Sequence, residues 1–259
     1  MERVLETIVA KSRIDLADKK KRISASRLEM RIETLPATLG FEAALRQSGA
    51  RVIAELKSAS PSKGVIRPHL DIETLAPELE AAGAAALSVL TERNFFSGSL
   101  ENLERARACV RIPLLRKEFI YDEYQILEAR ASGADAVLLI AAMLSAPEFR
   151  RLHAFAHSLG LDVLCEAHTE EELAMLLENG ATIVGVNARN LSTFETSLDL
   201  AGALIGRIPA GKIAVAESAI RCAADLQKLQ RLGAKAFLIG ETLMRAEHPG
   251  EKLCELLSK

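Results

Sequence analysis

The sequence predicts an α/β protein, a closed parallel (β/α)8 TIM barrel preceded by an N-terminal helical extension. Three observations carry that prediction. From Arg51 onward, eight short aliphatic runs alternate with segments of helical period. The runs are continuously apolar, as expected of parallel strands covered on both faces. Helical segments end on Gly followed by Ala at Gly83, Gly133, Gly180 and Gly233, where Gly supplies a left-handed cap and the turn into the next strand. Eight such units fit a closed barrel better than an open doubly wound sheet. The G-x-G-x-x-G fingerprint of the open sheet does not follow the first strand.

In chain order, Val4, Leu5, Ile8, Val9, Ile14 and Leu16 give a helix over Glu2–Lys20, ending in a solvated basic run. A short helix is expected over Gly40–Ser48. Residues 1–48 read as the extension and 1–259 as one barrel domain. The expected strands are Val52–Lys57, Ala85–Leu90, Pro113–Lys117, Ala134–Ile140, Asp162–Glu166, Thr182–Asn187, Ile213–Glu217 and Ala236–Ile239. The helices between them are expected at Asp71–Ala82, Leu100–Val110, Asp122–Ser132, Ala146–Leu159, Thr169–Glu178, Ser197–Ile205 and Ile220–Leu232. A last single helix should run from Glu241 to Leu257.

A formal net charge of −2 gives no basic footprint for nucleic acid. No apolar run reaches the roughly 18 residues of a membrane span, and the first residues lack a signal-peptide core. The four cysteines are far apart in sequence, which points to reduced thiols in a cytoplasmic protein. His153 and His157 are expected as a solvent-facing pair on an outer helix, without metal.

Barrel chemistry sits at the C-terminal strand ends. Along Arg51–Gly64, Glu55 and Lys57 lie two apart and so share one strand face, followed by the hydroxyl- and cation-bearing loop Ser60-Pro61-Ser62-Lys63-Gly64. Charges on a buried face are costly unless paired or working. The other strand ends supply Lys117, Glu118 and Phe119, then Glu166, then Asn187 and Arg189, then Glu217 and Ser218, and finally Gly240 and Glu241. Ser218–Ile220 is expected to open the seventh helix and Glu241 the eighth, offering N-terminal amides to a phosphate. Glu241 should turn its carboxylate outward.

Together these strings resemble the indole-3-glycerol phosphate synthase family. The likeness rests on A-E-L-K-S-A-S-P-S-K-G at 54–64, L-T-E-R-N-F-F-S-G-S at 90–99, P-L-L-R-K-E-F-I at 113–120 and C-E-A-H at 165–168. It extends to G-V-N-A-R-N-L at 185–191, A-E-S-A-I at 216–220 and L-I-G-E-T-L-M at 238–244.

The resemblance implies a cofactor-free, metal-free ring closure on a small phosphorylated substrate, 1-(2-carboxyphenylamino)-1-deoxyribulose 5-phosphate. It implies Lys117 as the acid at the carbonyl, Glu166 and Lys57 as a second acid/base set, Glu55 as an organising carboxylate, and Asn187 beside them. Arg189, Phe119, Glu217 and Phe96 are implied for substrate binding, with Phe95 as a further apolar wall. Ser60, Ser218, Ala219, Gly240 and Glu241 are implied for the phosphate. Ala219 stands where the family commonly has Gly, so binding through its N–H requires a negative φ; Glu241 stands where the family often has Ser. A monomer is expected, with weak association with other tryptophan-pathway enzymes. Whether Lys117 and Lys57 are charged is left open, because burial and neighbouring carboxylates pull in opposite directions.

Overall fold

A computed structural model describes residues 2–187 and 197–258, with side chains from Leu5 onward. Among them, eight parallel strands close a barrel. These are β1 Arg51–Leu56, β2 Ala86–Leu90, β3 Leu114–Lys117, β4 Ala136–Ile140, β5 Asp162–Ala167, β6 Ile183–Asn187, β7 Ile213–Glu217 and β8 Ala236–Ile239. Neighbouring strands pair in sequence order, and β1 closes the ring on β8 with Arg51 opposite Ala236. No helix among the described residues is long and apolar enough to cross a membrane.

Before the barrel come α1 Glu2–Arg22, α2 Ala25–Glu33 and α3 Phe41–Arg46. The outer layer is α4 Ile72–Ala81, α5 Leu100–Cys109, α6 Glu123–Ala131, α7 Ala146–Ser158, α8 Glu170–Glu178, α9 Leu198–Ile205, α10 Ala223–Arg231, α11 Glu241–Arg245 and α12 Pro249–Leu257. Strand side chains alternate faces. Val52, Val89, Val137, Val163 and Val184 pack outward against the helices. Ile53, Leu115, Leu138, Leu164, Val215 and Leu238 fill the barrel itself. Phe41 and Leu45 of α3 join that inner cluster and plug it from the N-terminal end. The plug is tied down where Asp162 accepts the Glu42 N–H at 2.8 Å and Asp135 accepts the Leu39 N–H at 2.6 Å.

Four local expectations change. Helix α2 was not anticipated; Ser24 caps it through the Arg27 N–H, and Leu28 packs with Leu16 of α1 against Tyr124 and Leu127 of α6. The polar loop after β1 folds into a small hairpin, Ala59–Ser60 against Gly64–Val65. The single last helix is two, because Pro249 cannot continue a helix but starts one well at its first turn. The helix expected from Ile220 begins at Ala223. Ser218 and Ala219 take φ of 67° and 62°, outside helical backbone, and the Asp225 carboxylate caps the Arg221 and Cys222 N–H groups at 2.9 and 3.2 Å.

Candidate active site

The inner core and the charged residues share one stride. Two residues beyond inward-facing Ile53 stands Glu55; beyond Leu115, Lys117; beyond Leu164, Glu166; beyond Gly185, Asn187; and beyond Val215, Glu217. The two-residue period therefore carries each ionisable group from the packed interior into the barrel mouth.

There Lys117 bridges two carboxylates, its Nζ donating to Glu166 Oε2 at 2.9 Å and to Glu217 Oε2 at 2.6 Å. Lys57 Nζ donates to Glu55 Oε1 at 2.6 Å, realising the pair anticipated within β1. Asn187 Nδ2 donates to Glu166 Oε1 at 3.3 Å, and Ser218 Oγ donates to Asn187 Oδ1 at 2.8 Å. All three carboxylates are at most 3 % exposed.

Burial works to discharge Lys117, but Glu166, Glu217 and Glu55 outweigh it and hold the ammonium above the usual lysine range. The question left open by the sequence is thus answered for this lysine: it is charged. For Glu166, burial is opposed by Lys117 and His168, which hold its carboxyl well below the ordinary value. Glu217 goes the other way. Burial dominates, the neighbouring Glu166 adds to it, and the carboxyl is pushed up to about 8 despite Lys117. Two carboxylates on one lysine thus differ in protonation, as neighbouring like charges require.

These groups open into a cavity of about 1040 Å³ including its mouth, large enough for a metabolite-sized ligand. One wall is polar, with Glu55, Lys57, Lys117, Glu166, Asn187 and Glu217. The other is apolar, formed by Phe96, Phe119, Leu138 and Ile140, and roofed by Leu5 and Ile8 of α1. Phe96 and Phe119 lie 6.0 Å apart between ring centroids. A second, more polar cavity adjoins the first, with Glu55, Lys57, Ser218 and Leu238 lining both. Ala219, Gly240, Glu241 and Thr242 line it together with the cations Lys63, Arg221 and Arg245.

The sequence matches the family model for indole-3-glycerol phosphate synthase over residues 5–256. The indole-3-glycerol phosphate synthase of Koribacter versatilis is 49% identical over 261 residues, covering 99% of this chain and 100% of that protein. That of Burkholderia ambifaria is 45% identical over 259 residues, covering 99% of each.

The chain belongs to the indole-3-glycerol phosphate synthase family.

More distant solved structures share the fold alone. A 3-hexulose-6-phosphate synthase superposes with a TM-score of 0.63 at 15% identity, covering 81% of this chain and 98% of its own. A mutant tryptophan synthase α-subunit from Pyrococcus furiosus gives 0.60 at 14%, covering 80% and 97%.

Most residues expected for a synthase of this family converge on the two cavities. Glu55, Lys57, Lys117, Glu166, Asn187, Glu217, Phe96 and Phe119 line the first. Arg189 lies outside the described residues. Ser60 is buried in the first cavity beside Glu55 and Lys57, apart from the second cavity where the other expected phosphate residues gather. Phe96, not Phe95, reaches the cavity lining. The negative φ required at Ala219 is not found, so that residue enters the loop in left-handed strain. Glu241 turns its carboxylate to Arg245, accepting from Nε at 3.0 Å.

Glu118 also lines the first cavity but is engaged by neighbours just after β2 and within β3. Its carboxylate accepts from Thr91 Oγ1 at 2.7 Å and lies 3.6 Å from buried Arg116. His153 and His157 bring their Nε2 atoms within 3.3 Å of each other, and burial pushes the half-covered His153 down to about 4. No cluster of three potential metal ligands occurs among the described residues.

Sequence reading missed the α1 roof, because a helical apolar period says that a face is buried but not what it covers. It flagged Lys63 as a loop cation but missed Arg221 and Arg245 of the second cavity, and it missed that His168 stands against Glu166, a relation whose signal was its place two residues beyond that glutamate.

Proposed function

We propose that this chain acts as an indole-3-glycerol phosphate synthase, a carboxy-lyase of tryptophan biosynthesis. It would convert 1-(2-carboxyphenylamino)-1-deoxyribulose 5-phosphate to indole-3-glycerol phosphate, CO2 and water. The observation that carries the assignment of roles is Lys117, charged and held between Glu166 and Glu217 at the edge of an apolar cavity.

Attack of the carboxylate-bearing ring carbon on the C2′ carbonyl puts negative charge on oxygen. Lys117 donates a proton there and stabilises the charge as it develops. Loss of CO2 returns the electron pair of the broken C–C bond to the ring. The hydroxyl left at C2′ departs as water with a proton from Lys57, which Glu55 holds in place. Glu166, ionised in the resting site, accepts the proton that the new five-membered ring must lose. Phe96 and Phe119 flank the aromatic ring, while the second cavity, with Lys63, Arg221 and Arg245 at its walls, suits the phosphate. Arg189 joins this proposal from the sequence resemblance alone.

Work as a monomer in the cytoplasm belongs to the same proposal. The cysteines Cys109, Cys165, Cys222 and Cys254 are free thiols, consistent with a reducing compartment. The deciding experiment follows indole fluorescence as the purified protein turns over the carboxyphenylamino substrate. Absence of turnover by well-folded protein would remove the proposal, and light scattering on a sizing column checks the monomer.

A further inference from the structure

We infer that His168 is a positioning residue, an imidazolium that sits behind Glu166 and fixes where its carboxylate presents itself to the substrate. The inference rests on the assignment of Glu166 as the proton acceptor and adds a group that touches neither cavity.

His168 follows β5 directly and continues its inward stride, Leu164 to Glu166 to His168. Its ring is buried, with Nε2 at 3.2 Å from Glu166 Oε1 and Nδ1 at 3.3 Å from Glu172 Oε2. Neither contact lies on the line of a good hydrogen bond, so the attraction is mainly ionic. Glu172 is itself anchored in the first turn of α8. It accepts the His168 backbone N–H at 2.7 Å, while its own N–H donates to the capping Thr169 hydroxyl at 3.2 Å. The helix start therefore fixes Glu172, Glu172 fixes the ring, and the ring fixes one oxygen of Glu166. That leaves Oε2 to Lys117 on the cavity side.

A ring with a carboxylate at each nitrogen is more stable protonated. Burial opposes this, yet the two carboxylates prevail and raise His168 to about 10. The charged neighbours are few. Glu166 and Glu172 face the ring. Around Glu166 stand Lys117 from β3, Glu217 from β7 and the neutral Asn187 from β6. The short turn Ala141–Met143, which packs on both β5 and α8, brings no ionisable side chain.

The test is the pH profile of kcat for His168→Gln and Glu172→Gln beside the wild type, with circular dichroism to establish folding. Loss of the imidazolium should move the acidic limb of His168→Gln upward by about 1–2 pH units, with KM little changed. Glu172→Gln should shift it the same way by less. A uniform fall in kcat with the limb unmoved would mean a merely structural role and overturn the proposal. A second measurement needs no variant. In the 15N spectrum of the folded wild type, both ring nitrogens of His168 should be protonated at about pH 8, and a neutral ring there would overturn it. Glu166→Gln separates the two levels: wild-type turnover in that variant would instead remove Glu166 as acceptor.

Discussion

Glu217 Oε1 rests against the backbone of Gly185, so closely that a Cβ added at position 185 would stand 2.2 Å from that oxygen. Across the β6–β7 pair, Gly185 lies opposite Val215, one stride below the Asn187–Glu217 pair, and the missing side chain is the space the carboxyl occupies. The oxygen has no hydrogen-bond partner among the described residues. Its position is held by packing on that side and by Lys117 on the other.

Gly185→Ala should therefore cost about 1–3 kcal/mol in urea unfolding, as overpacked sites do, and should reduce turnover by displacing Glu217 from Lys117. Glu217→Ala added to it should restore most of the stability without restoring turnover. Equal losses in the single and double variants would show that the strain lies elsewhere.

Lys117→Met should lower kcat by about 10²–10⁴-fold, the usual range for a positioned acid, while substrate affinity changes little. Single-turnover rates with an equilibrium substrate titration separate the two. Near-normal turnover would take the acid role away from Lys117.

The raised carboxyl of Glu217 makes a pH prediction of definite sign. Its folded value of about 8 exceeds the ordinary 4.5, so between those values the folded protein holds more protons on this group than the unfolded chain. The stability it contributes is complete below about 4.5 and is lost as pH rises to about 8. Glu217→Gln keeps a neutral side chain throughout, so its stability relative to the wild type should increase from about pH 5 to about pH 8. Urea midpoints at both ends measure the difference, and a gap that fails to widen would mean the wild-type carboxyl is already ionised across that range.

Ala219 holds a φ of 62°, and left-handed backbone costs a residue with a Cβ about 1–2 kcal/mol. Ala219→Gly removes that strain, partly offset by the greater freedom of Gly in the unfolded chain. A net stabilisation of about 0.5–1 kcal/mol is expected, with KM for the phosphorylated substrate unchanged or lower. Differential scanning calorimetry and steady-state kinetics check both. Destabilisation would show that the loop uses the methyl for packing.

The barrel was legible because continuous apolar strands and Gly-terminated helices are local signals, and the strand-end charges followed from the two-residue stride. Glu55 and Lys57 could be paired from sequence because they lie in one strand. The bridge from Lys117 to Glu166 and Glu217 could not, since it joins residues 49 and 100 positions apart. The opposite protonation of those two glutamates depends on burial, which no spacing encodes. The loop at Ser218–Ala219 was misread as a helix start because left-handed backbone at two non-Gly residues leaves no signature in residue type. The break before α12 was visible in Pro249 and should have divided the last helix.

The placement of Lys117 has a consequence for assembly of the molecule. Both of its carboxylate partners come from strands β5 and β7, whereas β1 brings the Glu55–Lys57 pair beside it. In a chain folded only through its first four strands, Lys117 would have Glu55 nearby but neither of the carboxylates it bonds in the closed ring. The candidate site is thus also a seam of the barrel, closed where Lys117 of β3 meets Glu166 of β5 and Glu217 of β7.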